Sequence, residues 1–109
     1  MKTEQTLRAA RAGRLRGAIL LLLAEVAPER VNAEVLRSAL ARPEGSGMRV
    51  TVRELAQALD YLRGRGYVDY QVVEARDYPE LPRLVGVWIT AAGIDVVEGT
   101  TADAGVDLG

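Results

Sequence analysis

The chain has 109 residues, which suits a single domain with one hydrophobic core. It contains neither Cys nor His, so it lacks the thiolate, the commonest metal ligand and the commonest general base near neutral pH. We therefore expect a protein that is not an enzyme and that needs no metal or cofactor. The longest apolar run, residues 18–24, is far shorter than the ~20 residues that cross a bilayer, so we expect a cytoplasmic location.

The net charge of −1 hides an uneven distribution along the chain. Residues 1–16 carry five basic side chains against one acid, whereas residues 90–109 carry four acids and no base. A basic front half and an acidic end are compatible with nucleic-acid contact at one end of the molecule. An equally good interpretation is that both are ordinary solvated faces.

The first predicted helix covers residues 3–26 and is apolar nearly all round. One stripe recurs at helical spacing, and it consists of Leu15, Ala18, Ile19, Leu22 and Val26. Leu20, Leu21 and Leu23 fall off this stripe, so the helix must be covered on more than one side. The second cover is either the domain's own core or another subunit, in a homodimer formed through these three leucines.

Two shorter helices are predicted next, each with a recognisable start. Asn32 is placed to cap a helix that ends near Ala41. Thr51 and Glu54 form a T-x-x-E capping box at the start of the third helix, which ends at Gly64 and Gly66. The predicted buried sides are Val31, Val35, Leu36 and Leu40 for the second helix, and Val52, Leu55, Leu59 and Leu62 for the third.

Two strands and a last helix complete the predicted elements. Residues 67–72 alternate apolar and polar side chains, and residues 84–90 are almost wholly apolar, so a hairpin is expected with a proline-containing loop over residues 76–83. Thr90 can cap a short helix over residues 91–98. We expect the domain to span residues 1–98, and residues 99–109 to form an acidic, flexible tail that frays or lies along the surface.

Two stretches resemble winged helix-turn-helix proteins. Leu62-Arg63-Gly64-Arg65-Gly66-Tyr67-Val68 is similar to the junction between their recognition helix and wing, and Ile89-Thr90-Ala91-Ala92-Gly93-Ile94 is similar to the stretch after the wing in many bacterial regulators. The resemblance spans about residues 15–98 and implies an α+β fold, with a three-helix core, a two-stranded hairpin wing and a short C-terminal helix. The whole chain also resembles small proteins encoded in Mu-like phages and prophages, and the feature that it shares with them is the stretch over residues 89–100.

The winged-helix resemblance implies that the third helix contacts double-stranded DNA. On a helical wheel, the side opposite Leu55 carries Arg53, Gln57, Asp60, Tyr61 and Gly64. Arg suits the edge of guanine and Gln the edge of adenine, whereas the carboxylate of Asp60 would repel phosphate. A merely solvated face is the alternative.

Further contacts are expected from three other places. Arg49 and Thr51 precede the third helix. The hairpin loop offers Arg76 and Arg83, whose charges are cancelled by Asp77 and Glu80. The first helix carries a basic stretch that consists of Arg8, Arg11, Arg14 and Arg16. The predicted DNA contacts are Arg49, Thr51, Arg53, Gln57, Tyr61, Arg76, Arg83, Arg11 and Arg14.

Two functional hypotheses follow from the sequence. The first is a dimeric, sequence-specific DNA-binding regulator of transcription that uses its third helix in the major groove. The second is a phage-encoded winged-helix module for protein–protein interaction or assembly, favoured by the near-zero net charge, by Asp60 and by the surplus leucines of the first helix. No small-molecule ligand is evident in either case.

Overall fold

The structure, a computed structural model, describes residues 2–73 and 83–109. Within these residues the elements follow in the order α1 (Lys2–Val26), α2 (Ala33–Ala41), α3 (Val52–Gly64), β1 (Val68–Val73), β2 (Arg83–Ile89) and α4 (Ala91–Val97). The predicted α+β class is confirmed, and each observed boundary lies within two residues of the predicted one.

The three predicted helix caps are all present. The side chain of Asn32 accepts the N–H of Glu34 at 2.8 Å. Thr51 Oγ1 accepts the N–H of Glu54 at 3.0 Å, while Glu54 Oε1 accepts the N–H of Thr51 at 3.1 Å, which completes the capping box. Thr90 Oγ1 accepts the N–H of Gly93 at 3.2 Å and so starts α4. These bonds satisfy N–H groups that a helix start leaves unpaired.

The core forms around α1, which packs against α2, α3, β2 and α4. Because four elements surround it, α1 buries Leu20 and Leu23 as fully as Ile19. The prediction of a homodimer through Leu20, Leu21 and Leu23 is therefore wrong for two of the three, since Leu20 and Leu23 are covered within the monomer. Leu21 alone among them is exposed, by 38%.

Three further valines lie outside the core that the periodicity predicted. Val26, Val35 and Val52 are exposed. Val52 is the first residue of α3, and Val35 lies next to the buried Leu36 on α2. Ala58 takes a buried place on α3 instead, beside Leu55, Leu59 and Leu62.

The sheet is an antiparallel pair of β1 and β2 whose register shifts once. Val68 pairs with Ile89 and Asp69 with Trp88, whereas Gln71 pairs with Val85. The extra residue in β2 coincides with Gly86, whose φ of 63° lies in the left-handed region that favours glycine. Val31 also bridges Val87, so the segment before α2 is tied to the hairpin.

Residues 99–109, which we name the C-terminal strap, lie along α1. The N–H of Asp107 donates to the carbonyl of Gly13 at 3.0 Å, and Arg16 Nη1 donates to the carbonyl of Gly105 at 3.1 Å. A Cβ atom at Gly17 would overlap the carbonyl of Asp107, so only glycine allows this approach. These contacts connect the strap to the first helix. The division into a domain over residues 1–98 and a flexible tail over residues 99–109 stays a prediction.

Two features are absent from the residues that the structure describes. None of their helices combines the length and the apolar character that a membrane span requires. They also bring together no group of three His, Cys, Asp or Glu side chains that could hold a metal ion.

Candidate nucleic-acid interface

The open face of α3 is a stripe on the side opposite its buried leucines. Arg53, Gln57, Asp60 and Gly64 are all exposed and follow each other at three- and four-residue steps. The side chains of Arg53, Gln57 and Asp60 make no hydrogen bond or ion pair with any described residue. They are therefore free to bind an external partner.

The start of α3 is fixed by contacts from two other helices. Arg11 on α1 donates from Nε to Glu54 Oε2 at 2.8 Å and from Nη2 to the carbonyl of Arg49 at 2.9 Å. Arg37 on α2 donates from Nε to the carbonyl of Val50 at 2.8 Å. Two arginines thus hold the two carbonyls that precede the N-cap, so the position of α3 is set from both sides.

The electrostatics of this junction favour the ionised pair. The hydrogen bond from Arg11, together with the backbone N–H of Thr51, holds the pKa of Glu54 below its ordinary value. The same hydrogen bond raises the pKa of Arg11 above its ordinary value. The positive charge of Arg11 is thus paired with the carboxylate of Glu54, although the side chain of Arg11 is 40% exposed.

Tyr61 lies at the edge of the α3 stripe and is partly buried. The guanidinium carbon of Arg16 lies 3.7 Å from the centroid of its ring, and that of Arg65, just after α3, lies 5.2 Å away. Its hydroxyl donates to Asp103 Oδ1 at 3.3 Å. The side chain of Tyr61 therefore contacts the C-terminal strap. The helical wheel instead predicts a freely exposed side chain at this position.

A cleft of about 370 Å³ opens between α1 and α3, next to this edge. Gln57 contributes both to the cleft and to the open stripe of α3. The lining residues are Arg8, Arg11, Ala12, Leu15, Arg16, Glu54, Gln57 and Ala58. Three arginines face one carboxylate here, and no carboxylate of the described residues forms an ion pair with Arg8 or Arg16.

Among the residues that the structure describes, the other predicted contacts do not line this cleft. Arg49 and Thr51 are exposed at the start of α3, and Arg14 is exposed on α1 but does not line the cleft. Arg83 begins β2, with its side chain outside the described part of the structure, and Arg76 lies outside the described residues altogether. The structure thus brings Arg11, Gln57 and the start of α3 together.

Arg8 and Arg16 belong to the basic stretch of the first helix that the sequence offers as a candidate for phosphate contact, although neither is among the nine predicted DNA contacts. The sequence assigns no site to Arg37. The sequence contains a signal for a shared position of Arg8 and Arg16, because residues eight apart lie near the same face of a helix. Arg11 and Ala12 lie between them, close to that face. Arg37 gave no such signal, since its partner is a backbone carbonyl on a distant loop.

Comparisons with known proteins identify the fold. No protein-family model and no curated protein matches the sequence. Among solved structures, the chain is similar to an X-ray structure described as a PadR-like transcription factor from Bacteroides fragilis, with a TM-score of 0.60 and 21% sequence identity. The likeness covers 92% of this chain and 85% of the other. The chain therefore has the α+β winged-helix fold, and the match lends no support to the phage resemblance.

Proposed function

We propose that this protein is a DNA-binding regulator of transcription, active in the cytoplasm, that inserts α3 into the major groove of double-stranded DNA. The observation that carries the proposal is the open stripe of α3, where Arg53 and Gln57 have no partner among the described residues. Both residue types bind base edges in two-point fashion, Arg on guanine and Gln on adenine. The solved structure of similar fold, itself described as a transcription factor, supports the same function.

The rigidity of the α3 start adds to this argument. A helix that discriminates bases must hold its side chains in one register, since each two-point contact is sensitive to small displacements. The capping box and the bonds from Arg11 and Arg37 supply that rigidity from three elements. Arg49 and Thr51, exposed beside the N-terminus of α3, are the proposed phosphate contacts there.

The position of Asp60 on α3 is compatible with DNA binding. It belongs to the middle of the open stripe, so in a groove it would face base edges rather than the phosphates of the groove walls. A carboxylate there can accept a hydrogen bond from the amino group of cytosine. The acidic residue is thus expected to contribute preference for one base.

The interaction-module hypothesis loses one of its reasons. The surplus leucines of α1 that favoured a protein partner include Leu20 and Leu23, which are buried in the monomer core. The homodimer stays a prediction, to be measured by light scattering on the purified protein. Of the three leucines predicted to form the homodimer contact, only Leu21 is exposed and can contact a second subunit.

Fluorescence anisotropy with fragments of the native genome tests the proposal. We expect salt-dependent binding to at least one fragment, which the double substitution Arg53→Ala with Gln57→Ala weakens by about 2–6 kcal/mol, at about 1–3 kcal/mol per base contact. Arg42→Ala is the matched control, because Arg42 is an exposed arginine at the far end of α2. If the wild type binds no fragment at low salt, or the double variant binds equally well, the proposal is wrong.

A further inference from the structure

The cleft between α1 and α3 carries an excess of two positive charges. Arg8, Arg11 and Arg16 line it together with a single carboxylate, Glu54, and Arg11 already neutralises that carboxylate at 2.8 Å. Arg8 has no ion-pair partner among the described residues. The open volume of about 370 Å³ is ample for a phosphate group with part of its ester chain.

Arg16, which lines this cleft, is held in place by two contacts. Its guanidinium carbon lies 3.7 Å from the centroid of the Tyr61 ring, and Nη1 donates to the carbonyl of Gly105 at 3.1 Å. Its Nε is shielded from solvent and finds no hydrogen-bond acceptor in the described part of the structure. A buried, charged donor without an acceptor is costly, so an anion nearby would stabilise it.

The position of the cleft beside α3 indicates which anion it receives. An α-helix with its side chains is about 10–12 Å across, and the major groove is about 12 Å wide. A helix that enters the groove therefore fills it, and the two edges of the helix lie against the phosphate-lined walls. Gln57 joins the open stripe to the cleft, so the cleft opens at one of these edges.

We infer that this cleft is a phosphate-binding site in which Arg8 and Arg16 hold one phosphate of the DNA backbone, beside the base that Gln57 contacts. The inference rests on the proposed DNA binding of α3 and adds to it a specific anchor formed by α1. Glu54 limits the strength of this anchor, because its carboxylate faces the same space and attracts Arg11 away from the phosphate.

The salt dependence of DNA binding measures the anchor. For a duplex that the wild type binds, the slope of log affinity against log salt concentration changes by about 0.9 for each phosphate that the protein no longer neutralises. We expect Arg8→Ala to reduce the slope by about this amount and to weaken binding to all duplexes equally. Arg53→Ala should instead weaken the preferred duplex far more than an unrelated one. Arg42→Ala, outside the cleft, should leave the slope unchanged.

Glu54→Gln provides a test in the opposite direction. Glutamine keeps the capping box, since its side chain can still accept the N–H of Thr51, but it removes both the negative charge of the cleft and the acceptor of the bond from Arg11 that helps to hold α3. The test therefore uses a duplex without the preferred site, because binding to it does not depend on the register of α3, and we expect that binding to be about two- to fivefold tighter, as for the removal of one surface charge interaction. Unchanged or weaker binding of this duplex by the variant would contradict the role given to the cleft.

The outcomes separate the inference from the proposed function. If the wild type binds no DNA, both are overturned. If the wild type binds DNA and Arg8→Ala leaves the salt slope unchanged, the phosphate anchor is wrong and the DNA-binding function stands.

A further experiment measures thermal unfolding of the protein in the presence of millimolar inorganic pyrophosphate. Stabilisation that Arg8→Ala abolishes, together with an unchanged DNA slope, would overturn the assignment of the cleft to backbone phosphate.

Discussion

The hydroxyl of Tyr67 donates a hydrogen bond of 2.6 Å to Oδ2 of Asp103, joining the junction after α3 to the C-terminal strap across 36 residues of sequence. The other carboxylate oxygen accepts the N–H of Gly105 at 2.7 Å and the hydroxyl of Tyr61 at 3.3 Å. The side chain of Asp103 is only 6% exposed as a result. One carboxylate thus fastens the strap both to the last turn of α3 and to the residues that follow it.

Removal of this carboxylate should destabilise the protein. Asp103→Ala leaves the hydroxyl of Tyr67 and the N–H of Gly105 without their acceptor, and hydrogen bonds to a charged group contribute about 1.5–3 kcal/mol each. We expect the free energy of unfolding to fall by about 3–6 kcal/mol in urea titrations at pH 7. Asp95→Ala is the control, because Asp95 is exposed on α4 and should change stability by about 0.5 kcal/mol or less. Equal losses in the two variants would contradict the anchoring role.

The same carboxylate predicts a dependence of stability on acid pH. Hydrogen bonds from Tyr67 and from the N–H of Gly105 hold the pKa of Asp103 below its ordinary value, which is about 3.9. A lowered pKa in the folded state means that the stabilisation is complete above the unfolded value and is lost as the pH falls through the folded one. Asp103→Asn should therefore lose less stability than the wild type between pH 7 and pH 3, measured by urea unfolding. If the unfolding free energies of the two proteins fall in parallel as the pH is lowered, the carboxylate of Asp103 is not the group that causes the pH dependence.

Gly17 tests the close approach of the C-terminal strap to α1. A Cβ atom there would overlap the carbonyl of Asp107, whereas a Cβ atom at Gly64 would have no atom within 4 Å. Gly17→Ala should displace the strap and accelerate hydrogen exchange at the N–H of Asp107, which donates to Gly13. Gly64→Ala should leave that exchange rate unchanged, with stability equal or higher by about 0.5–1 kcal/mol. Unchanged protection at Asp107 in Gly17→Ala would contradict the packing of the strap.

Two neighbouring leucines on α1 test the assignment of the core. Leu23 is 1% exposed and Leu21 is 38% exposed. Leu23→Ala should cost about 2–5 kcal/mol of unfolding free energy through reduced burial and the remaining cavity, whereas Leu21→Ala should cost about 1 kcal/mol or less. Thermal unfolding at several protein concentrations measures both. A large, concentration-dependent loss for Leu21→Ala would instead reveal an interface at that residue.

Local signals made most of the fold predictable. Asn32, Thr51 with Glu54, and Thr90 cap helices through bonds within three residues, so their residue types and spacing are enough to predict the starts. The left-handed φ of 79° at Gly66 likewise fits the sharp exit from α3 that its glycine indicated. Each of these features depends only on the chain next to it.

The site was less predictable because its contacts join distant segments. The apolar surface of α1 required a second cover, but periodicity does not say whether Leu20 and Leu23 meet their own core or another subunit. The helical wheel places Tyr61 on an open face, because nothing near it in sequence reveals that Arg16 and the strap cover it. The basic stretch predicts a phosphate contact for Arg11, whereas in the structure Arg11 pairs with Glu54, 43 residues away.

Selection of preferred duplexes from a random DNA pool tests the central claim, that α3 reads bases in the major groove, most directly. The wild type should enrich a defined site, and Arg53→Ala should lose preference at one position of it, a guanine, while the other positions keep theirs. Arg42→Ala should enrich the wild-type site. Enrichment of no site by the wild type, or of an identical site by Arg53→Ala, would contradict the claim.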